Sequence, residues 1–302
     1  MRNFITENRE LNFKFQISNF KLNLRSAFVC GFILLCSFSL SAQQKIAVLT
    51  PDKTAESVNF AAKLETSLSA KFKILDSSFS ETAFLSSNPE KPFNLATEQA
   101  KIIGAAIGCH YFVLVKSQNL HRYSSERKEY YESYAAVYVV SARTGRLVFW
   151  KLPSFNGDKS SDAAKLLLDS TDSLTAEISE KLKVISTEEA SEKIAKLEEI
   201  PDENSPAAKN FRAPLPYRKI SPQYTALANL YGVAATVDIE IDFDEDGQIR
   251  RTEIVRWAGF GLDEAVTETI RKMNWRPATR NGKALPVRVL LRYNFKKLDK
   301  EE

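Results

Sequence analysis

The chain has 302 residues, of which 44% are hydrophobic, so it can bury the core of one large or two modest domains. Its 42 basic and 38 acidic residues give a formal net charge of only +4 at pH 7, which provides no electrostatic case for a nucleic-acid partner. Two of its three cysteines, Cys30 and Cys36, lie in an amino-terminal segment of distinct character. Only Cys109 remains beyond it, which excludes an intrachain disulfide there.

The first 42 residues have the pattern of a secretory signal. Lys21 and Arg25 precede an apolar run over residues 27–40, and small residues follow at 39–42. The run has about 14–16 residues, which is short against the roughly 20 that a spanning helix needs. We expect residues 1–42 to be a cleaved signal peptide; the alternative is an uncleaved membrane anchor. The segment holds five basic and two acidic residues, so 37 basic and 36 acidic residues remain after cleavage.

Residues 43–185 have the pattern of an α/β domain. Short apolar runs predict strands over residues 45–50, 72–75, 111–116, 130–140 and 147–152. Apolar residues at helical spacing predict helices over residues 54–70, 95–107 and 163–185. Gly108 is expected to end the second helix, and Gly145 to allow the turn between the last two strands. This order predicts an α/β sandwich with a mixed sheet.

The one cysteine and the two histidines of this domain, Cys109, His110 and His121, are of types that bind zinc. A zinc or thiol site would need further ligands that converge on them, so a helix-to-strand junction is the favoured interpretation. The sequence shows neither a Ser-His-Asp ordering nor a close carboxylate pair. We therefore expect no enzymatic activity, no metal and no cofactor.

Residues 186–215 have the composition of a linker. The first part holds seven acidic residues, and Pro206 and Pro214 mark the remainder. We expect the preceding helix to continue to about Glu199. The remainder is predicted to be an extended connector between two domains.

Residues 216–298 predict a small antiparallel three-stranded sheet with a packed helix. Alternation of apolar and polar residues predicts strands over residues 233–243, 249–257 and 287–295. Residues 244–247 form a turn, and apolar residues at helical spacing predict a helix over residues 262–274. The whole chain is thus predicted to be α+β, with residues 299–302 as a tail.

The last strand is interpreted as a sheet edge that is open on one side. Its odd positions face the core, and its even positions include Arg288 and Arg292. Because an open edge can take another protein's strand, we predict a partner-binding site along it. The residues of this site are Val287, Arg288, Val289, Leu290, Leu291, Arg292, Tyr293, Asn294 and Phe295.

The turn at residues 244–247 also satisfies a calcium-binding spacing, D-x-D-x-D-G-x5-E. The residues with this spacing are Asp242, Asp244, Asp246, Gly247 and Glu253. An EF-hand loop lies between two helices, whereas here a strand precedes the loop and Arg250 and Arg251 lie within it. An acidic hairpin turn is therefore the favoured interpretation.

Two parts of the chain resemble known families. Residues 216–298 resemble the TonB carboxy-terminal domain, through the segments SPQY, YGVAATVDIEID, DEDGQI, GLDEAV and NWRPATRNGKALPVRV. In that family the domain binds a short peptide of an outer-membrane transporter by strand addition, which implies that residues 287–295 are the docking edge. Residues 45–185 resemble the periplasmic α/β domain of the CsgG, LpoB and TolB amino-terminal group, through KIAVLTP, IIGAAIGCHYFVLV and YVVSARTGRLVFW. This second resemblance implies an envelope assembly or scaffold module.

The sequence therefore predicts an exported, non-enzymatic periplasmic protein. Its TonB-like domain is expected to dock an extended segment of an envelope or outer-membrane protein. The alternative is a TonB-type energy transducer, anchored in the inner membrane by residues 26–42 and facing the periplasm. A transducer has a long proline-rich periplasmic span, whereas this chain has the α/β domain in that place. The sequence leaves a homodimer possible. Membrane contact is expected only if the amino-terminal segment is uncleaved.

Overall fold

The computed structural model describes residues 43–125, 128–192 and 194–296. The predicted signal peptide or anchor, residues 1–42, and the predicted tail, residues 299–302, lie outside the described residues. Within the described ranges, no helix is long and apolar enough to cross a membrane.

The first part of the chain alternates strands and helices, as predicted. In chain order the elements are β1 (Lys45–Leu49), α1 (Ala55–Ser69), β2 (Lys73–Ile74), α2 (Ser77–Ser86), α3 (Thr97–Ile107), β3 (Tyr111–Arg122), β4 (Tyr130–Ser141), β5 (Leu147–Lys151), β6 (Ser154–Gly157), α4 (Ser160–Asp169) and α5 (Thr171–Ser191). The Thr54 side chain caps α1 by accepting a hydrogen bond from the Ser57 N–H. Gly108 adopts a left-handed conformation (φ 74°) and ends α3, as predicted.

The strands of this part form one mixed sheet, in the order β2-β1-β3-β4-β5 with β6 also beside β4. β1 is parallel to β2 and β3, whereas β3, β4 and β5 are antiparallel. Helices α1 and α5 cover one face, where Phe60, Leu64 and Ile178 are buried. Helices α2 and α3 cover part of the other face, through Phe84 and Ile103. The predicted sandwich with a mixed sheet is confirmed.

The second part contains mostly short strands. In chain order the elements are β7 (Glu198–Glu199), β8 (Phe211–Arg212), β9 (Leu215–Pro216), α6 (Ala226–Leu230), β10 (Ala235–Phe243), β11 (Ile249–Arg256), α7 (Leu262–Lys272), β12 (Trp275–Arg276), β13 (Ala278–Arg280), β14 (Lys283–Leu285) and β15 (Val287–Phe295). The main sheet has the order β11-β10-β15-β7. Helix α7 lies on β10 and β11 and buries Leu262, Val266 and Ile270. The predicted antiparallel three-stranded sheet with a helix is confirmed, and β7 adds a fourth strand.

One cluster of buried side chains runs through both parts of the chain. The ring of Trp257 lies 5.6 Å from that of Tyr138, which belongs to β4 of the first sheet. The Trp257 Nε1–H donates to the carbonyl oxygen of Gly145 at 3.2 Å. The backbone N–H of Trp257 donates to the carbonyl oxygen of Leu95 at 3.4 Å. The carboxy-terminal sheet is therefore packed directly on the first one.

The linker differs from the prediction. Helix α5 ends at Ser191 and does not reach Glu199. The chain then lies along the carboxy-terminal part, where β7 pairs with β15, β8 with β13 and β9 with β12. The reason is physical: an extended backbone must satisfy its polar groups, and the open strand edges of this part supply partners.

Three other elements differ from the sequence prediction. The helix predicted over residues 163–185 is two helices, α4 and α5, that are separated at Ser170. Strand β3 continues to Arg122, because β4 pairs with it over its whole length. Helix α2 was not predicted, since it buries only Ser80 and Phe84 and so lacks an apolar stripe.

Candidate functional site

Strand β15 is the predicted docking strand, and its bounds, Val287–Phe295, are those predicted. It pairs antiparallel with β10 over its whole length, from Val287 opposite Phe243 to Phe295 opposite Ala235. This pairing fixes the strand in an extended conformation. Anything that binds to its other side therefore meets a backbone that is already ordered.

The side chains of β15 alternate as the sequence predicts. Val287, Val289 and Phe295 are buried, and Leu291 and Tyr293 are partly buried against the same core. Leu290 faces the opposite way and is 57% exposed. An exposed aliphatic side chain in the middle of the strand offers apolar contact beside the backbone groups.

The outer side of β15, away from β10, is only partly covered. β7 pairs with it at Val287 and Arg288. Residues 289–295 have no strand partner on that side in the described part of the chain, and we call their outer side the free edge. The sequence predicted an edge open along its whole length. It contains no signal for β7, because a two-residue strand in an acidic segment has no periodicity.

The arginines of β15 are engaged in ion pairs across the polar face of the sheet. Arg288 donates to Asp242 through Nε at 2.6 Å and Nη2 at 2.8 Å. Arg292 donates to Asp238 through Nε at 2.7 Å and Nη2 at 2.9 Å, and Arg256 donates to the same carboxylate at 3.0 Å. Such bidentate pairs are strong and directional. They tie β15 to β10.

The stability that these ion pairs contribute depends on pH, because Asp238 must be ionised to form them. Burial favours a higher pKa, but the hydrogen bonds from Arg292 and Arg256 outweigh burial and hold the pKa of Asp238 below its usual value. The stabilisation is therefore present above the unfolded-state pKa of about 4, and it is lost as the pH falls below that value.

We expect Asp238→Asn to flatten the acid dependence of stability. The free energy of unfolding should fall less for this variant than for the wild type between about pH 6 and about pH 2.5, because the variant has no carboxylate to protonate. Chemical denaturation at each pH measures the difference. If the stabilities of the two proteins fall equally with pH, the Asp238 carboxylate does not make this contribution to the acid dependence.

The residues with calcium-binding spacing lie on a hairpin between β10 and β11. Asp244 Oδ1 accepts from the backbone N–H groups of Asp246, at 3.0 Å, and Gln248, at 2.8 Å. Asp242 pairs with Arg288 as above, and Glu253 pairs with Arg146 at 2.5 Å. The carboxylates of Asp242, Asp244 and Glu253 thus have partners within the chain. The described residues contain no group of three or more His, Cys, Asp or Glu side chains that could hold a metal ion.

His121 lies apart from the adjacent residues Cys109 and His110, which line one pocket. His110 precedes β3 and His121 lies near its far end, so extended chain of roughly 35 Å separates them. His110 Nδ1 accepts from the backbone N–H of Lys45 at 2.9 Å, and His121 stacks on Tyr131 with ring centroids 4.8 Å apart. Burial raises the pKa of Cys109 to about 12, so its thiol is not ionised near neutral pH.

The carboxy-terminal part is thus a small antiparallel sheet with one helix on its face and a last strand that leaves part of its edge open. Residues 220–297 match the family of the Gram-negative bacterial TonB protein C-terminal domain. This match confirms the resemblance predicted for residues 216–298. None of the curated proteins compared matches the chain.

Solved structures similar to parts of the chain include a TonB domain, a lipoprotein and the LpoB carboxy-terminal domain. The TonB carboxy-terminal domain of Pseudomonas aeruginosa is 18% identical, covers 36% of this chain and 100% of its own, and has a TM-score of 0.27. A lipoprotein of Neisseria meningitidis is 14% identical, covers 45% of this chain and 99% of its own, with a TM-score of 0.32. The LpoB carboxy-terminal domain of Salmonella enterica is 12% identical, covers 39% of this chain and 85% of its own, and has a TM-score of 0.26.

Proposed function

We propose that this protein is a TonB-like envelope protein that docks an extended segment of an envelope or outer-membrane protein by strand addition. The supporting observation is the free edge of residues 289–295, which lies inside the part of the chain that matches the TonB family. In strand addition, backbone hydrogen bonds supply affinity and alternate side chains supply selectivity. Here the exposed side chain of Leu290 is the apolar contact that would select among partners.

The length of the free edge suits this function. Seven residues of antiparallel strand span about 24 Å, which lies within the range of about 3–10 residues that natural strands have. The edge is held from behind by β10 and, across the polar face, by the Arg292–Asp238 pair. Little conformational entropy of the protein is therefore lost on docking, and the ordering cost falls on the partner segment.

We further propose that the protein acts in the periplasm without catalysis. The match of residues 220–297 to the TonB family supports the location. The un-ionised Cys109 thiol and the separation of His110 from His121 argue against catalysis by these three residues. The transducer alternative depends on residues 26–42, which lie outside the described residues. Amino-terminal sequencing of the protein from fractionated cells distinguishes the two, because a mature start near Gln43 excludes an anchor.

Photo-crosslinking in cells that produce the full chain tests the docking site. A photo-reactive benzoylphenylalanine replaces Leu290 on the free edge or, as a matched control, Phe79, which is 60% exposed on α2. We expect an adduct with an envelope protein from position 290 and none from position 79. Absence of an adduct at 290, or equal adducts from both positions, would contradict the proposed site. An adduct of two copies of this chain would show that a second copy occupies the edge.

A further inference from the structure

The beginning of β15 is covered by the chain's own linker. β7 runs parallel to β15, with Glu198 opposite Val287 and Glu199 opposite Arg288. The two covered residues directly precede the free edge, so β7 lies in the line that an added strand would occupy. A docked segment that used the whole of β15 would have to take the place of β7.

Charged groups hold β7 in this position. The Glu198 carboxylate forms an ion pair with Arg280 on β13. Arg288 donates from Nη2 to the carbonyl oxygen of Ala195 at 3.4 Å. The pKa of Arg288 is raised most by its hydrogen bonds to Asp242, and the nearby Glu199 carboxylate raises it further. The linker thus places carboxylates beside arginines at the start of the docking strand.

These contacts are weak enough to open. In the segment 194–200 the side chains are exposed, except that of Leu197, which is half-buried. Exposed ion pairs add little stability, and no buried apolar side chain reinforces them. A segment with little burial and a two-residue pairing belongs to the parts of a protein that open first.

Both ends of the segment are fixed elsewhere. At its start, the Glu189 carboxylate accepts from Ser141 Oγ at 3.1 Å and from Thr144 Oγ1 at 2.6 Å. Beyond it, the Asn281 N–H donates to the carbonyl oxygen of Asn210 at 3.0 Å. β7 can therefore leave the edge while the rest of the protein stays in place, and its tether keeps it close enough to return.

We propose that β7 is an intramolecular competitor for the docking strand, which a partner segment must displace to use the full length of β15. This rests on the proposed function of the same strand. The linker thereby discriminates between partner segments by length. A segment that pairs only with the free edge binds without displacing β7, whereas a longer segment must compete with β7 for Val287 and Arg288. If β7 leaves the edge open a tenth of the time, it weakens the apparent affinity of such a partner about tenfold.

A double proline variant, Glu198→Pro with Glu199→Pro, tests the competition, because it removes both backbone N–H donors of β7. We expect about tenfold faster hydrogen exchange of the one amide, of Val287 or Arg288, that points towards the linker, because the other points towards β10. We also expect a several-fold higher yield of the photo-adduct from position 290, up to about tenfold. Glu203→Pro is the matched control, since the Ser205 N–H bonds to the Asp202 carbonyl at 2.9 Å and residue 203 is the turn position that favours proline.

The outcomes separate this proposal from the function on which it rests. Unchanged exchange at Val287 and Arg288 in the double variant would overturn the proposal, as would an adduct of equal yield from all three proteins. Adducts absent from all three proteins would overturn the docking function itself, and the competition with it. Faster exchange together with a higher adduct yield in the double variant alone supports both.

Discussion

Replacement of Asn94 by alanine is expected to lower the free energy of unfolding by about 3 kcal/mol. Its side chain donates to the carbonyl oxygens of Thr236 and Trp257, both at 2.7 Å, and accepts from the Thr236 N–H at 2.9 Å. The residue is 5% exposed, so water cannot replace these bonds. Each buried polar group left without a partner costs about 1–3 kcal/mol.

Chemical denaturation measures this loss, with Asn156→Ala as the matched control. Asn156 is exposed on β6, and its truncation should change stability by no more than about 0.5 kcal/mol. An equal, small effect of both substitutions would show that the loop before α3 does not hold the two sheets together.

Proline substitution at two adjacent positions of β15 is expected to separate docking from folding. The N–H groups of neighbouring strand residues point to opposite edges, so one of Leu290 and Leu291 donates towards β10 and the other towards the free edge. Proline at the outward-facing position should leave stability near that of the wild type, because an edge strand tolerates proline there. Proline at the inward-facing position removes a hydrogen bond to β10 and leaves its acceptor unsatisfied, which should cost at least about 1–3 kcal/mol.

The outward-facing variant should weaken partner capture about 100-fold, equivalent to about 3 kcal/mol. Photo-adducts cannot be used for a variant at position 290, so capture from solubilised envelopes by the purified full chain is the measurement. If both variants fold and capture the partner as the wild type does, strand addition at β15 is wrong.

The carboxy-terminal sheet was predictable because its long strands place apolar side chains mainly on one face. In β10 the apolar residues alternate strictly, and in β15 they alternate except at Leu290, which fixes both the strand type and the face that meets the core. The bounds of β15 follow from this alternation. The predicted helix over residues 262–274 ends slightly early, at Lys272, since Met273 is already extended.

The contacts between the two parts were not predictable. Asn94 and Thr236 are 142 positions apart, and a single asparagine in a loop has no periodicity that could announce its partner. The helix break at Ser170 was hidden for a related reason, because apolar residues continue at helical spacing through it. The pairing of β7 escaped notice because two acidic residues are atypical of strands.

Hydrogen exchange of the partner-bound protein tests the central claim most directly. Strand addition at β15 predicts that alternate amides within residues 289–295 gain protection when the crosslinked partner is bound, while those of β11, the opposite edge strand of the sheet, exchange as before. Protection that appears on β11 or on the first sheet, with residues 289–295 unchanged, would contradict it.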